Sequence, residues 1–188
     1  MPKFQRSILV CVCGGIAAYK VCYVVSKLVQ SDVRVDVAMT AEAGEFVGPI
    51  TFEALTGRAV HTEIWKNPDA STAHDPQHIG LAHNSDLILV APATANILAK
   101  MAHGIADDLV STLLLAAQPK KIFVAPAMNQ QMWENPATQA NVKLLQQRDI
   151  TLIGPDTGWQ ACRTVGVGRM SEPKDILKVI GKKLKISI

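Results

Sequence analysis

The chain has 188 residues, about the length of one ordinary domain, and 48% of them are hydrophobic, which excludes an intrinsically disordered protein. Its net charge of +3 does not indicate nucleic-acid binding, because residues 169–188, where a terminal helix is predicted, hold six basic and two acidic residues. The four cysteines form no CxxC pair and the five histidines are scattered, so we expect a reduced cytoplasmic protein without a metal site, and no apolar run approaches the roughly 20 residues of a membrane span.

Short apolar segments alternate with helical ones along the chain. Strands are predicted at residues 7–13, 33–39, 86–91, 121–125 and 150–153, and the third and fourth are near-uniformly apolar, as in strands buried on both faces. Helices are predicted at residues 16–30, 94–102, 107–117, 136–147 and 173–185. This order predicts a single α/β domain over residues 1–188 with a doubly wound parallel sheet.

Two long segments do not fit the strand–helix pattern. Residues 61–77 are polar, and residues 154–170 contain four glycines together with Trp159 and Cys162. Long loops in a compact domain commonly serve as active-site lids. We therefore interpret residues 154–171 as a flap loop, whereas disorder is an equal alternative for residues 61–77.

Ligands of doubly wound sheets bind beyond the carboxyl ends of the strands, and four segments are expected there. Gly14 and Gly15 follow the first strand and open a helix, so their backbone N–H groups can face a phosphate. The segment is neither GxGxxG nor a P-loop, which disfavours an adenine dinucleotide or ATP, and a glycine pair also occurs for purely steric reasons. The other three segments are Thr40, residues 92–96 and residues 126–133.

The last two of these segments combine small, polar and apolar side chains. Thr94 either caps the next helix or, with its small neighbours, lets a flat ring such as an isoalloxazine lie against the backbone. Asn129 follows the fourth strand, and its carboxamide can hold a carboxylate through the NH2 group without adding charge. Met132 and Trp133 offer apolar walls beside it, although core packing explains them equally well.

Six segments together resemble the homo-oligomeric flavin-containing cysteine decarboxylases, most closely the branch that acts in coenzyme A biosynthesis. They are GGIAAYK at 14–20, HIGLA at 78–82, APATAN at 91–96, GIADDLVST at 104–112, PAMNQQMW at 126–133 and GPDTGWQAC…GVGRM at 154–170. The resemblance implies a flavodoxin-like, Rossmann-like three-layer fold and FMN as the cofactor. It also implies the decarboxylation of 4′-phosphopantothenoylcysteine to 4′-phosphopantetheine.

The resemblance further implies roles for individual residues. His78 assists proton handling near the substrate thiol, Asn129 holds the substrate carboxylate, and Cys162 on the flap protonates the enethiolate that decarboxylation leaves. Met132 joins Asn129 in binding the substrate. The residues implied to bind FMN are Gly14, Gly15, Ile16 and Ala17 at the phosphate end, with Thr40 and Phe46 nearby, and Ala93, Thr94 and Asn96 along the flavin.

The chain departs from the family pattern at two places. Arg163 and Thr164 follow the flap cysteine, where the family commonly has glycine and an acid, so flap closure or the hold on the substrate is expected to differ. Cys13 precedes the glycine pair, where a serine is often found. One hydroxyl fewer is then available to a phosphate, and the backbone N–H groups become more important.

Other functions compatible with this pattern are a flavin prenyltransferase, a decarboxylase of peptides that end in cysteine, and a non-catalytic regulatory subunit. The presence of both His78 and Cys162 favours an enzyme. The resemblance implies a small-molecule substrate and a homotrimer or a multiple of trimers such as a homododecamer. The charge distribution and the lack of a long apolar run predict neither nucleic acid nor a membrane as partner. In bifunctional members a ligase domain follows about where this chain ends, so we expect either a monofunctional enzyme or one part of a bifunctional protein.

Overall fold

A computed structural model describes residues 6–64 and 77–188, with the backbone alone at residues 77–79. Five strands form a central sheet in the order β2-β1-β3-β4-β5, and every pairing between them is parallel. The strands are β1 (Arg6–Val12), β2 (Val33–Met39), β3 (Leu87–Ala93), β4 (Ile122–Pro126) and β5 (Thr151–Leu152). The predicted doubly wound parallel sheet is confirmed.

Eight α-helices connect and flank these strands in the described parts of the chain. They are α1 (Ala18–Gln30), α2 (Pro49–Thr56), α3 (Gln77–Asn84), α4 (Ala95–His103), α5 (Leu109–Ala116), α6 (Gln130–Glu134), α7 (Pro136–Gln147) and α8 (Pro173–Leu184). None of these described helices is long and apolar enough to cross a membrane.

The sheet is buried on both faces, and alternate residues of each strand enter different cores. Ile8 and Val10 of β1 belong to the cluster that includes α1, α2 and α8, whereas Leu9 and Cys11 belong to the cluster that includes α4, α5 and α7. Successive side chains of a strand point to opposite faces, so a strand covered by helices on both sides must be apolar throughout. This arrangement gives the three-layer architecture.

Helix ends explain most of the differences between predicted and observed boundaries. Asp108 accepts a hydrogen bond from the Ser111 N–H at 2.8 Å in a reciprocal capping box, so α5 begins at Leu109 rather than at residue 107. Helix α2, which the sequence analysis did not predict, has Pro49 in its first turn and ends at Gly57 with φ of +66°. A proline at the start and a glycine after the end are typical helix boundaries.

Residues 154–171, predicted to be a loop, form an antiparallel ribbon instead. Strand β6 (Asp156–Trp159) pairs with β7 (Val165–Arg169). Its glycines permit close packing: a Cβ at Gly166 would lie 2.1 Å from Gln130 Oε1, and one at Gly158 would lie 2.6 Å from an Arg169 guanidinium nitrogen. Glycines that signal a loop in the sequence here let the ribbon lie against its neighbours.

Candidate functional site

The predicted catalytic residues Asn129 and Cys162 line one cavity of about 680 Å³ at the carboxyl ends of the strands. Its walls are the turn between β1 and α1, the segment that follows β4, and the ribbon with the start of α8. Three predicted FMN-binding residues, Gly15, Ile16 and Ala17, line the same cavity. The structure therefore brings together groups that lie more than 100 residues apart in the sequence.

A second cavity, of about 300 Å³, contains most of the remaining predicted residues. Gly14, Thr40, Thr94, Asn96 and Met132 line it. Met132 thus lies in a different cavity from Asn129, although both were expected to bind the substrate. The turn at residues 14–17 borders both cavities, so one elongated ligand can contact both through it.

Two predicted cofactor residues line neither of these cavities. Ala93 is fully buried at the end of β3, and its carbonyl oxygen accepts a hydrogen bond from the Ala127 N–H at 2.9 Å. Phe46 is exposed and ends a 3-10 turn at residues 41–45. Ala93 therefore aligns β3 with the segment that contains Asn129, and Phe46 lies on the surface of the single chain.

His78, the third predicted catalytic residue, lies near the start of α3, in agreement with a position at the head of a short helix. Its side chain lies outside the described part of the structure. Most of the polar segment 61–77 also lies outside it.

The start of α1 is shaped to receive an anion. A Cβ at Gly14 would lie 2.4 Å from Glu42 Cβ, so only glycine fits there. Helix α1 has no side-chain cap at Ala17 and no acidic residue in its first turn. The first backbone N–H groups of a helix have no acceptor within the helix, and the helix dipole makes this end positive.

Thr40 is a buried hydroxyl without a partner. It follows β2, its backbone is extended, and its Oγ1 makes no hydrogen bond to any described residue. A buried polar group without a partner costs about 1–3 kcal/mol. An oxygen-rich ligand in the smaller cavity would supply the missing hydrogen bond.

Glu42 and Asp108 line the smaller cavity, and the negative charge of Asp108 is partly compensated. The Lys100 ammonium lies 2.5 Å from the Asp107 carboxylate and 2.6 Å from that of Asp108, which lines the cavity. Although desolvation alone would lower the pKa of Lys100, hydrogen bonds to Asp107 and Asp108 raise it. Lys100 therefore stays charged and offsets part of the negative charge of Asp107 and Asp108.

Thr94 and Cys13 are fixed by local structure. Thr94 Oγ1 accepts a hydrogen bond from the Ile97 N–H at 3.2 Å, so it caps α4 as well as lining the smaller cavity. Burial, followed by the charge of Asp108, raises the pKa of the Cys13 thiol to about 12. Cys13 is therefore a neutral thiol, which does not oppose an anion nearby.

Asn129 has one defined role in the protein and one group left for a ligand. Its Oδ1 accepts a hydrogen bond from the Met132 N–H at 2.8 Å and so caps α6. This contact fixes the orientation of the carboxamide, which leaves the NH2 group as the donor available in the cavity. That Asn129 holds a substrate carboxylate stays a prediction.

Cys162 lies in the turn of the ribbon. It is exposed, and its Sγ lies 3.0 Å from Thr164 Oγ1 and 3.6 Å from Gln160 Oε1. Arg163, at a position where the family commonly has glycine, has φ of +65°. The turn therefore holds a residue other than glycine in the left-handed region of backbone conformation.

Several residues of the larger cavity were not predicted as site residues, among them Lys20, Gln160, Arg169 and Glu172. Gln160 is a buried amide at the turn of the ribbon. Lys20 from α1 and Arg169 from β7 both pair with Glu172, Lys20 at 3.1 Å. The sequence could have suggested these ion-pair residues through the motifs alone. Lys20 and Arg169 lie in the segments that carry the resemblance, and Glu172 lies beside one of them.

The chain matches a known protein family and curated relatives over most of its length. Residues 2–185 match the family model described as Flavoprotein. The coenzyme A biosynthesis bifunctional protein CoaBC of Bacillus subtilis is 46% identical over 178 residues, which cover 95% of this chain and 43% of the relative. The protein of the same name from Escherichia coli K12 is 43% identical over 177 residues. The chain spans less than half the length of these curated relatives.

Solved structures agree over almost the whole chain. A cysteine-to-serine mutant of a PPC decarboxylase, complexed with pantothenoylaminoethenethiol, superimposes with a TM-score of 0.84 at 28% identity and covers 96% of this chain. The match also covers 99% of that structure. The FMN-dependent cysteine decarboxylase SpaF gives a TM-score of 0.80 at 32% identity, with 97% of each chain covered.

Proposed function

Because this chain belongs to the Flavoprotein family, we propose that it is an FMN-dependent decarboxylase that converts 4′-phosphopantothenoylcysteine to 4′-phosphopantetheine in coenzyme A biosynthesis. The observation that carries the proposal is one cavity lined by both Asn129 and Cys162 and bordered by the uncapped start of α1. The CoaBC relatives and the PPC decarboxylase structure support this substrate.

The residues present fit FMN. Thr40 offers an unpartnered hydroxyl, Gly14 leaves room that a Cβ would fill, and the turn at 14–17 presents backbone N–H groups. These groups would hold the phosphate and the neighbouring hydroxyls, and Asn96 and Thr94 would line the remainder. When bound, FMN supplies the oxidation of the cysteine thiol that makes loss of CO2 feasible and the later reduction of the product.

The protein's own groups bind the substrate and move protons. The NH2 group of Asn129 holds the substrate carboxylate by hydrogen bonds, and as a neutral donor it adds no positive charge that would stabilise the carboxylate against loss of CO2. The Cys162 thiol donates its proton to carbon after decarboxylation and then regains one from water. By resemblance, His78 handles the proton of the substrate thiol.

We assign Cys162 as the general acid because of its surroundings. It is an exposed thiol at the edge of the larger cavity, whereas Cys11 and Cys13 are buried in the sheet and its carboxyl end. The solved relative with serine in place of a cysteine contains an enethiol compound, which is the species expected when protonation is blocked. All four cysteines are free, which supports a location in the reducing cytoplasm.

A second copy of the chain is the expected partner. Ile16, Tyr19 and Tyr23 are more than half exposed and follow one face of α1 and the turn before it. Ile16 and Tyr19 also line the larger cavity, so a neighbouring copy packed on this face would complete the cavity wall. We assign a homotrimer, or a multiple of trimers, and sedimentation of the wild type against Tyr19→Asp tests it.

The decisive experiment uses FMN-loaded protein and 4′-phosphopantothenoylcysteine without NAD(P)H. We expect CO2 release and 4′-phosphopantetheine in equal amounts, measured by trapping the gas and by mass spectrometry. A peptide ending in cysteine, supplied in parallel, tests the related activity. No CO2 from the first substrate would contradict the proposal, and turnover of the peptide alone would replace it with a peptidyl-cysteine decarboxylase.

A further inference from the structure

Gln160 is a buried amide at the turn of the ribbon, and it lines the larger cavity. It is 7% exposed, although the residues on either side of it are far more accessible. Its backbone N–H donates to the Thr164 carbonyl oxygen at 2.8 Å, which closes the turn that contains Cys162. A buried amide must satisfy both its donor and its acceptor side.

The hydrogen bonds of Gln160 determine which way its amide faces. Nε2 donates to the carbonyl oxygens of Gly166, at 3.3 Å, and Val167, at 2.9 Å. Oε1 accepts from the backbone N–H of Gln130 at 3.2 Å. A flipped amide would place its NH2 group against an N–H and its oxygen against two carbonyls, so only one orientation is compatible with these contacts.

The same oxygen faces the proposed acid. Cys162 Sγ lies 3.6 Å from Gln160 Oε1, within hydrogen-bonding distance for sulfur. Because an amide oxygen only accepts hydrogen bonds, the Cys162 S–H group donates to it, and this contact restrains the position of the sulfur. Thr164 Oγ1 lies 3.0 Å from Cys162 Sγ, so the sulfur has a second hydrogen-bonding neighbour in the turn.

Gln160 therefore connects two parts of the site. Its Oε1 accepts a hydrogen bond from the N–H of Gln130, the first residue of α6. Asn129 directly precedes Gln130 and caps the same helix with its Oδ1. On the other side, Gln160 contacts the Cys162 thiol across the turn. One side chain thus sets the position of the proton donor relative to the segment that holds the substrate carboxylate.

We propose that Gln160 is a positioning residue for the protonation step: it holds the Cys162 side chain at a fixed place against the Asn129 segment. In that step the S–H bond of Cys162 breaks as the C–H bond of the product forms, and the thiolate regains a proton from water. The inference rests on the proposed decarboxylation. A residue that only stabilised the ribbon would affect every step of turnover alike.

The test compares three FMN-loaded proteins in a single turnover of 4′-phosphopantothenoylcysteine: wild type, Gln160→Met and Gln147→Met. Gln147 is the matched control because it is an exposed glutamine at the end of α7, outside both cavities. The measured quantity is 4′-phosphopantetheine formed per CO2 released. We expect Gln160→Met to lower this ratio about tenfold, the effect of losing one hydrogen bond of typical strength, and to accumulate the enethiol.

A stability measurement protects the test against a folding defect. Thermal unfolding of Gln160→Met shows whether the ribbon stays folded, since the substitution also removes the hydrogen bonds to the Gly166 and Val167 carbonyl oxygens. The alkylation rate of Cys162 by iodoacetamide, measured without substrate, provides a readout besides turnover. Loss of the contact releases the Cys162 side chain from its fixed place in the turn, so we expect Gln160→Met to react faster by about threefold.

The outcomes separate this inference from the proposed function. An unchanged ratio and alkylation rate in Gln160→Met would overturn the positioning role while leaving the decarboxylase intact. An equal fall in CO2 and product, with a lower melting temperature, would reduce Gln160 to a stabiliser of the ribbon and also overturn it. If the wild type releases no CO2, the proposed function fails, and the alkylation rates still decide whether Gln160 controls Cys162.

Discussion

The backbone N–H of Met128 donates to the carbonyl oxygen of Gly168 at 2.9 Å, and this contact joins the segment after β4 to the ribbon. Gly168 has φ of +121°, and a Cβ on it would lie 2.5 Å from the Met128 carbonyl oxygen. Two independent constraints therefore require glycine, one from the backbone conformation and one from the neighbouring chain. The contact holds the walls that contain Asn129 and Cys162 against each other.

We expect Gly168→Ala to destabilise the ribbon by about 2–4 kcal/mol, because it combines a strained backbone with a clash against backbone atoms that cannot move away. Urea unfolding and limited proteolysis between residues 154 and 171 measure the effect. Gly44→Ala is the control, since nothing lies within 4 Å of a Cβ at that position. Equal stability of both variants would show that the ribbon does not depend on this contact.

The sheet could be predicted from the sequence, whereas the ribbon could not. Strands buried on both faces must be apolar at every position, so β1 and β3 were recognisable from residues such as Ile8, Leu9 and Ile88 without knowledge of their partners. The ribbon's glycines resemble a loop signal, and what they accommodate is Gln130 and Met128, more than 30 residues away in sequence. Such close approaches leave no local pattern.

The sequence predicted some residues of the site and missed others. Motif resemblance selected Asn129 and Cys162, and the fold places them in one cavity. Gln160 was missed because a glutamine between exposed residues looks like surface, and its burial depends on carbonyls from the opposite strand. The division of residues between two cavities likewise follows from packing alone, as the separation of Met132 from Asn129 shows.

The hydroxyl of Thr40 leads to a prediction about FMN binding. Since Thr40 Oγ1 has no hydrogen bond among the described residues, Thr40→Val should leave the FMN-free protein as stable or slightly more stable. We expect FMN to bind about tenfold more weakly to Thr40→Val, because one ligand hydrogen bond is lost. Quenching of flavin fluorescence gives the Kd, and thermal unfolding gives the stability.

Thr56→Val provides the opposite pattern as a control. Its Oγ1 donates to the Phe52 carbonyl oxygen at 2.8 Å within α2, away from both cavities. We expect it to lower stability by about 1 kcal/mol and to leave FMN affinity unchanged. FMN binding to Thr40→Val as tight as to the wild type would remove Thr40 from the cofactor site.

Glu172 should give the protein a pH-dependent stability below neutrality. A hydrogen bond from Lys20, helped by the charges of Lys20 and Arg169, lowers the pKa of Glu172 in the folded protein. Its contribution is then fully present above the unfolded pKa of roughly 4.3 and is lost as the pH falls through the lower folded pKa. Because these groups are partly exposed, we expect less than about 1 kcal/mol.

The measurement is thermal unfolding of wild type and Glu172→Gln between about pH 7 and pH 3. The wild type should melt at the higher temperature near neutrality, and the difference should shrink as Glu172 becomes protonated. Glu45→Gln is the control, because it removes the same charge from an exposed residue that lines neither cavity. A difference that stays constant down to the lowest pH would assign the effect to packing rather than to charge.

The four cysteines should differ sharply in reactivity. Burial raises the pKa of Cys13 to about 12 and that of Cys11 well above its usual value, and partial burial also raises the pKa of Cys22. Cys162 is exposed. At about pH 8 we expect iodoacetamide to modify Cys162 first in the native protein, because the thiolate is the reactive form. Peptide mass spectrometry locates the label, and rapid native labelling of Cys13 would contradict the packing of the sheet.

Arg163 is the residue at which a change toward the family pattern should stabilise this protein. Its φ of +65° is in the left-handed region, which costs a non-glycine residue roughly 1–2 kcal/mol. Arg163→Gly removes this cost but adds freedom to the unfolded chain, so we expect a net gain of about 0.5–1 kcal/mol in the free energy of unfolding. Arg163→Ala removes the same charge and retains the strain, so it should show no gain. Urea unfolding of the three proteins decides the matter, and a gain in Arg163→Ala equal to that in Arg163→Gly would assign the effect to the lost charge.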